Sequence, residues 1–165
     1  MKAVVVYESH FGNTAAVARA VAEGIGPEAR ALNTDEATPD VVGTADLIVL
    51  GAPVIAFGLS RDGMREQIAA AAEKASEGVD VSHPLLRSWL DKLPAGPRWG
   101  AAFETRIWWS PRGATGTIEG RMKRLGYRIA AKSERFIVAG GYGPLRDGEL
   151  ERARAWGAAL ARKAA

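Results

Sequence analysis

Val4-Val5-Val6-Tyr7-Glu8-Ser9-His10-Phe11-Gly12-Asn13-Thr14-Ala15-Ala16-Val17-Ala18-Arg19-Ala20-Val21 is the stretch that decides the fold of this 165-residue chain. An apolar run of strand length passes through a short polar turn into a segment with Val17, Val21 and Ile25 at helical spacing. It reads as a strand, a tight loop and a helix. The loop offers hydroxyls at Ser9 and Thr14, an amide at Asn13, and Gly12 where backbone can approach a ligand closely. Free N–H groups at a helix N-terminus, helped by the helix dipole, bind an anion without any cationic side chain. An anion cradle is therefore expected over residues 9–14. The plain alternative is a strand-to-helix turn with Thr14 as a cap.

Spacing separates the known phosphate loops. A triphosphatase loop needs G-x-x-x-x-G-K-[ST] and a dinucleotide fold needs G-x-G-x-x-G. Here Gly12 is the only glycine in the loop and no Lys precedes Thr14. What remains is [ST]-x-[TS]-G-x-T, and Ser9-His10-Phe11-Gly12-Asn13-Thr14 resembles this flavodoxin loop at every position but the third, where Phe11 replaces a hydroxyl. An aromatic there is similar to the quinone-reductase branch of flavodoxin-like proteins.

With 47% apolar and 25% charged residues the composition is that of a soluble globular protein, and the length suits one domain spanning 1–165. Cysteine is absent, which excludes disulfides, thiolate metal sites and iron–sulfur clusters within this chain. No run approaches the roughly 20 apolar residues of a spanning helix, and the start resembles no secretory leader. No membrane span is expected, and a cytoplasmic location is the default. Charge is uneven: residues 1–97 balance at −5 and residues 98–165 at +8. Many of the basic residues lie at helical spacing, as in solvated faces, so no nucleic-acid partner is expected.

Further along, residues 28–32 read as a short second strand, 39–42 as a helical turn, and Leu47-Ile48-Val49-Leu50-Gly51 as a strand covered on both faces. Strands alternating with helices imply a parallel sheet with right-handed crossovers, and ligands in such sheets sit at the carboxyl ends of the strands. A helix is expected over 62–76, closed by Gly78, with Met64, Ile68, Ala71, Ala72 and Ala75 inward. A second is expected from Ser82, with Leu86, Trp89, Leu90 and Leu93 on one face. Adjacent Ser82 and His83 cannot face each other as nucleophile and base, so they are assigned to capping. Residues 99–103 form a fourth strand, Thr117 to Leu125 a helix stopped by Gly126, and 128–131 with 136–139 a fifth strand interrupted by Lys132-Ser133-Glu134-Arg135. The last helix carries Leu150, Ala153, Gly157 and Leu160.

Two more loops leave strands at the same edge. Residues 51–61 are apolar for an exposed connection and ask for a partner surface. Gly51-Ala52-Pro53 resembles the start of the flavodoxin ring loop G-x-P-T, with Val54 in place of Thr and Ile55 where an aromatic is common. Phe57-Gly58 is similar to the Phe-Gly of the quinone-reductase branch, displaced by one residue. The alternative is a loop folded onto its own core. The loop expected after the fourth strand carries Glu104, Thr105, Arg106, Trp108 and Trp109. The tryptophans are candidates for stacking on a ring, for a protein contact, or for core.

Taken together, the chain resembles a flavodoxin throughout: a three-layer α/β fold with a five-stranded parallel sheet in the order 2-1-3-4-5 and helices on both faces. The resemblance implies FMN, its phosphate on Ser9, His10, Phe11, Gly12, Asn13 and Thr14. The ring is implied between Pro53, Val54, Ile55, Phe57 and Gly58 on one side and Glu104, Thr105, Arg106, Trp108 and Trp109 on the other. It implies electron carriage to a redox partner protein or a small acceptor. An FMN-dependent NAD(P)H:quinone-type reductase and a module that has lost flavin and serves in binding or regulation are the alternatives. Arg106 is expected to place positive charge near the ring. A phospho-receiver domain is disfavoured because Glu8 stands alone after the first strand and Gly51 replaces the acceptor Asp.

Overall fold

The computed structural model describes residues 1–71 and 78–165. Its centre is a parallel sheet built from β1 (Ala3–Tyr7), β2 (Ala29–Asn33), β3 (Leu47–Pro53) and β4 (Trp99–Ile107), in the order β2-β1-β3-β4. The fifth position is shared. β5 (Arg128–Ile129) pairs with Trp99 and Gly100, and β6 (Glu134–Val138) pairs in parallel with Phe103 to Ile107. The register shifts by two residues between them, which the 130–133 segment absorbs. The order 2-1-3-4-5 agrees with the sequence expectation; the last strand is interrupted as expected, but the break falls at 130–133, and Glu134 and Arg135, expected in the break, pair within β6.

Alternation along each strand divides the core into two layers. Val4 and Val6 of β1, Ile48 and Leu50 of β3 and Ala102 of β4 pack with Leu86, Trp89, Ile118 and Met122. Ala3, Val5, Leu47, Val49, Ala101 and Phe103 face the opposite way, onto Val17, Val21, Phe136, Trp156 and Leu160. The first layer is covered by α2 (Pro39–Gly43), α4 (Leu86–Trp89) and α5 (Thr115–Arg124). The second is covered by α1 (Asn13–Ile25) and α6 (Glu149–Ala164).

Several boundaries differ from the sequence reading. β4 runs on through Ile107, because polar Glu104 and Arg106 lie buried within the strand instead of starting a loop. β3 likewise includes Ala52 and Pro53. The helix expected over 62–76 appears as α3, Arg65–Ala70, with Ile68 inward; the part over 72–76 lies outside the described residues. The helix expected from Ser82 begins four residues later at Leu86 and continues as a 3-10 turn over Leu90–Lys92. Ser82 caps nothing there; its amide and hydroxyl both donate to Asp80. His83 bridges Asp35 and Asp80 rather than capping. Among the described residues no helix is long and apolar enough to cross a membrane.

Candidate functional site

β1 ends against β3, with the Glu8 amide donating to the Gly51 carbonyl, and the chain then turns up to Gly12, which holds φ 85° as the cap of α1. The next backbone bond is Ala16 N–H to the Gly12 carbonyl. The amides of Ser9 through Ala15 are left without a protein acceptor among the described residues. No side chain caps the helix, so the expected Thr14 cap is not formed. The Thr14 hydroxyl turns down to Thr105 Oγ1 at 2.7 Å, tying the cradle to β4. The Ser9 hydroxyl is buried with no hydrogen-bond partner among the described residues. A run of unspent amides beside a buried hydroxyl is a donor array awaiting an acceptor.

The His10 side chain does not join that array. Its Nε2 lies 2.7 Å from Glu8 Oε1 and its Nδ1 2.9 Å from the Asp80 carbonyl. Burial alone lowers the His10 pKa, but the hydrogen bond and charge of Glu8, with the Asp80 carbonyl and carboxylate, outweigh it and hold the ring above its ordinary value. Glu8 is also the acceptor for the Ser60 hydroxyl and for the Leu86 amide at 2.6 Å. One buried carboxylate thus joins the cradle, the loop after β3 and the segment leading into α4.

The loop after β3 is pinned by the Val54 amide on the Thr105 carbonyl at 2.9 Å. Ile55 and Gly58 exchange backbone bonds across a two-residue turn in which Ala56 and Phe57 hold φ of 45° and 66°. That left-handed turn suits glycine or asparagine, and here it carries two L side chains. It presents Phe57 outward, 6.3 Å and edge-on from Trp109.

Trp108 and Trp109 are 67% and 56% exposed, so neither is core. Arg106 is a correction to the sequence reading: it lies within β4, 6% exposed, with Nη1 2.9 Å from Glu104 Oε1. Its positive charge is paired with the Glu104 carboxylate, while the residue still lines the site gap. Glu104 is fully buried and faces α5, where its Oε2 accepts from the amides of Ala114 and Thr115 at 2.6 and 3.0 Å. A Cβ at Gly113 would collide with that carboxylate, so only glycine admits it. Glu104 therefore anchors the start of α5.

Between these walls lies a gap of about 90 Å³, lined by His10, Phe11, Asn13, Thr14, Pro53, Val54, Ile55, Thr105, Arg106, Ile107, Val138 and Gly141. Ser9, His10 and Gly12 also line a hollow of about 150 Å³ on the β2 side. Phe57, Gly58, Trp108 and Trp109 stay outside both, at the rim. The 140–143 loop after β6 was not among the expected site residues. Asn13 Nδ2 donates to the Tyr142 carbonyl at 3.1 Å, and Phe11 meets Tyr142 edge-on at 5.0 Å. Its glycines, following a strand that ends at the same sheet edge, were the available signal.

Similarity to solved structures fits this architecture. An archaeal flavodoxin matches with a TM-score of 0.69 at 22% identity over 99% of both chains. The fold is that of the flavodoxins. Oxidised flavodoxin 1 from Bacillus cereus matches with a TM-score of 0.69 at 15% identity over 98% of both chains. A flavodoxin, WrbA-like protein from Agrobacterium tumefaciens matches with a TM-score of 0.60 at 23% identity, over 99% of this chain and 96% of that one. No protein-family model and no curated protein sequence matches this chain. Within the flavodoxin fold, the unspent amides of α1 sit at the carboxyl edge of β1, beside the point where strand order reverses, where doubly wound sheets take their ligands.

Proposed function

We propose that this chain binds FMN at the carboxyl edge of its sheet and serves as a cytoplasmic electron carrier. The observation that carries the proposal is the donor array at the start of α1: unspent amides from Ser9 to Ala15 with the buried, unpartnered Ser9 hydroxyl beside them. A phosphate dianion is the kind of acceptor that such a set of donors takes. The residues present fit that end of the cofactor. For the ring they offer the apolar sides of Pro53, Val54 and Ile55 and the exposed faces of Phe57, Trp108 and Trp109. A gap of about 90 Å³ is smaller than the roughly 300 Å³ of a pocket that encloses a drug-sized ligand, so the ring stays at the open rim.

When bound, FMN supplies the redox chemistry. The chain's own residues bind and orient: the 9–15 amides fix the phosphate, Thr14 and Thr105 hold the cradle against β4, and the strained Ala56-Phe57 turn sets one aromatic rim. A carrier needs an edge that a partner can reach, and Phe57 with Trp109 supplies one. The same exposed pair favours a second reading, a reductase that takes a planar quinone-type acceptor with hydride from a reduced nicotinamide.

The absorption spectrum of freshly purified protein, followed by titration with FMN and riboflavin, tests the proposal. FMN binding well above riboflavin is expected. Equal affinity for the two overturns the phosphate assignment, and no binding of either favours the flavin-free module.

A further inference from the structure

We propose that Glu8 and His10 form a proton-linked positioning pair, so that the 9–15 loop holds an anion tightly while the imidazole is protonated and weakly once that proton leaves. The inference rests on reading residues 9–15 as an anion site. Neither side chain touches the anion; both act through the loop that carries the donors.

Both residues are buried. The Glu8 carboxylate gathers three donors: the Ser60 hydroxyl, the Leu86 amide at 2.6 Å and His10 Nε2 at 2.7 Å. The other ring nitrogen lies 2.9 Å from the Asp80 carbonyl, and the His10 carbonyl accepts from the Asp80 amide at 2.8 Å. His10 is thus fixed by ring and main chain between Ser9 and Phe11, within the stretch of unspent amides. It lines both the gap of about 90 Å³ and the hollow of about 150 Å³ beside that stretch.

A neutral imidazole carries one N–H, whereas both neighbours of this ring are acceptors. Loss of the proton sets a bare ring nitrogen against an oxygen at 2.7 or 2.9 Å, a buried contact relieved only by moving the ring. The 9–11 main chain moves with it. Charge acts in the same direction: imidazolium and carboxylate cancel, and without the proton the buried Glu8 charge repels an anion in the loop. The other charged groups around the ring are Asp80 and His83 on the segment entering α4, Arg87 of α4, Arg19 of α1, and Arg106 of β4. Ser82 lowers the Asp80 pKa, so that carboxylate stays ionised near neutral pH. Among these side-chain types only histidine changes charge there, which makes His83→Gln the control.

The test uses sulfate, whose charge is constant between about pH 6 and 9, a range that brackets a histidine raised above its ordinary value of about 6.5. Binding is read from the amide resonances of residues 9–15, and the His10 imidazole resonance is titrated with and without sulfate. FMN and riboflavin are followed by fluorescence over the same range, with thermal midpoints to verify folding. Sulfate affinity should fall about tenfold from the acid to the alkaline end, and saturating sulfate should move the His10 titration midpoint up by the same factor. His10→Gln should bind weakly at every pH, Glu8→Gln should decline at lower pH, and His83→Gln should keep the wild-type profile. If Glu8→Gln does not fold, the wild-type His10 midpoint decides by itself. Sulfate affinity that is flat with pH, an unmoved His10 midpoint, or a decline that persists in His10→Gln overturns the linkage while leaving the anion site intact. A wild type that shows the linkage with sulfate but does not bind FMN keeps the pair and overturns the cofactor. Sulfate that leaves the 9–15 amides unperturbed at every pH overturns both.

Discussion

His10 Nε2 lies 2.7 Å from Glu8 Oε1 with both side chains buried, and the opposite ring nitrogen lies 2.9 Å from the Asp80 carbonyl. A carbonyl only accepts, so Nδ1 carries a proton, and the carboxylate at Nε2 calls for a second. Both neighbours favour the protonated ring and hold its pKa above the ordinary value. His10 thereby couples the cradle to the segment that enters α4, which the Asp80 amide reinforces by donating to the His10 carbonyl at 2.8 Å.

A pH dependence of stability follows. The folded-state pKa of His10 is raised above its unfolded value of about 6.5, so its contribution is fully present below that pH and is lost as pH rises through the folded value. Asp80 acts in the opposite sense. Hydrogen bonds from Ser82 lower its pKa, so its contribution is present above about 4 and is lost as pH falls further. Maximal stability between these limits is expected from denaturation at a series of pH values. His10→Gln should remove the part of the decline that begins near neutral pH; an unchanged decline there would assign it to other groups.

Ser9 and Thr14 should separate in a way their shared hydroxyl chemistry does not suggest. The Thr14 hydroxyl is committed to Thr105, so Thr14→Ala should cost about 1 kcal/mol of stability. The Ser9 hydroxyl has no partner among the described residues, so Ser9→Ala should leave stability unchanged or raised. It should weaken FMN by about 1.5–3 kcal/mol, roughly ten- to a hundredfold. Parallel thermal melts and FMN titrations check both.

Arg106→Ala should cost stability as a buried-pair substitution, although the residue also lines the site gap. It leaves Glu104 with a fully buried carboxylate short of one partner, a loss of about 3–5 kcal/mol in stability. Glu104→Gln should loosen the start of α5 as well. Chemical denaturation is the measurement, and a loss below about 1 kcal/mol for Arg106→Ala would show that the pair is not the anchor described.

Trp108→Ala and Trp109→Ala should each change stability by no more than about 0.5 kcal/mol, because both side chains are mostly exposed. Electron transfer to an acceptor protein should slow in Trp109→Ala, since Phe57 loses its edge contact. With exposed Arg61 and Arg112 in the loops around this rim, association should also weaken as salt rises. Unchanged rates at all salt concentrations would place the contact surface elsewhere.

Ala56→Gly should raise stability by up to about 1 kcal/mol, since glycine adopts the left-handed turn that alanine holds under strain. Thermal melts of the cofactor-free protein check it. A destabilised variant would show that the turn is not strained.

The alternation of strands with helices and a break in the last strand were legible in the residues themselves, while the strand order came with the resemblance to flavodoxins. Each rests on a local signal: apolar runs of strand length at 4–6 and 47–50, helical spacing at Val17, Val21 and Ile25, and polar residues after Ala131, although Glu134 and Arg135 of that polar stretch join β6. Such signals survive because burial on two faces and turn geometry act over a few residues. The extent of β4 was not legible. Glu104, Thr105 and Arg106 look like loop residues, and only the amides of α5, ten residues on, make a buried carboxylate acceptable there.

The sequence by itself determined that a donor-rich turn opens the first helix of a doubly wound sheet. Tertiary structure alone decided which donors remain free. Thr14 is spent on a residue 91 positions away, and His10 on Glu8 and Asp80. The Tyr142 carbonyl meets the Asn13 side chain from 129 positions along the chain. Hydrogen bonds and aromatic contacts between distant segments depend on how two loops meet in space, and no periodicity along the chain encodes that meeting.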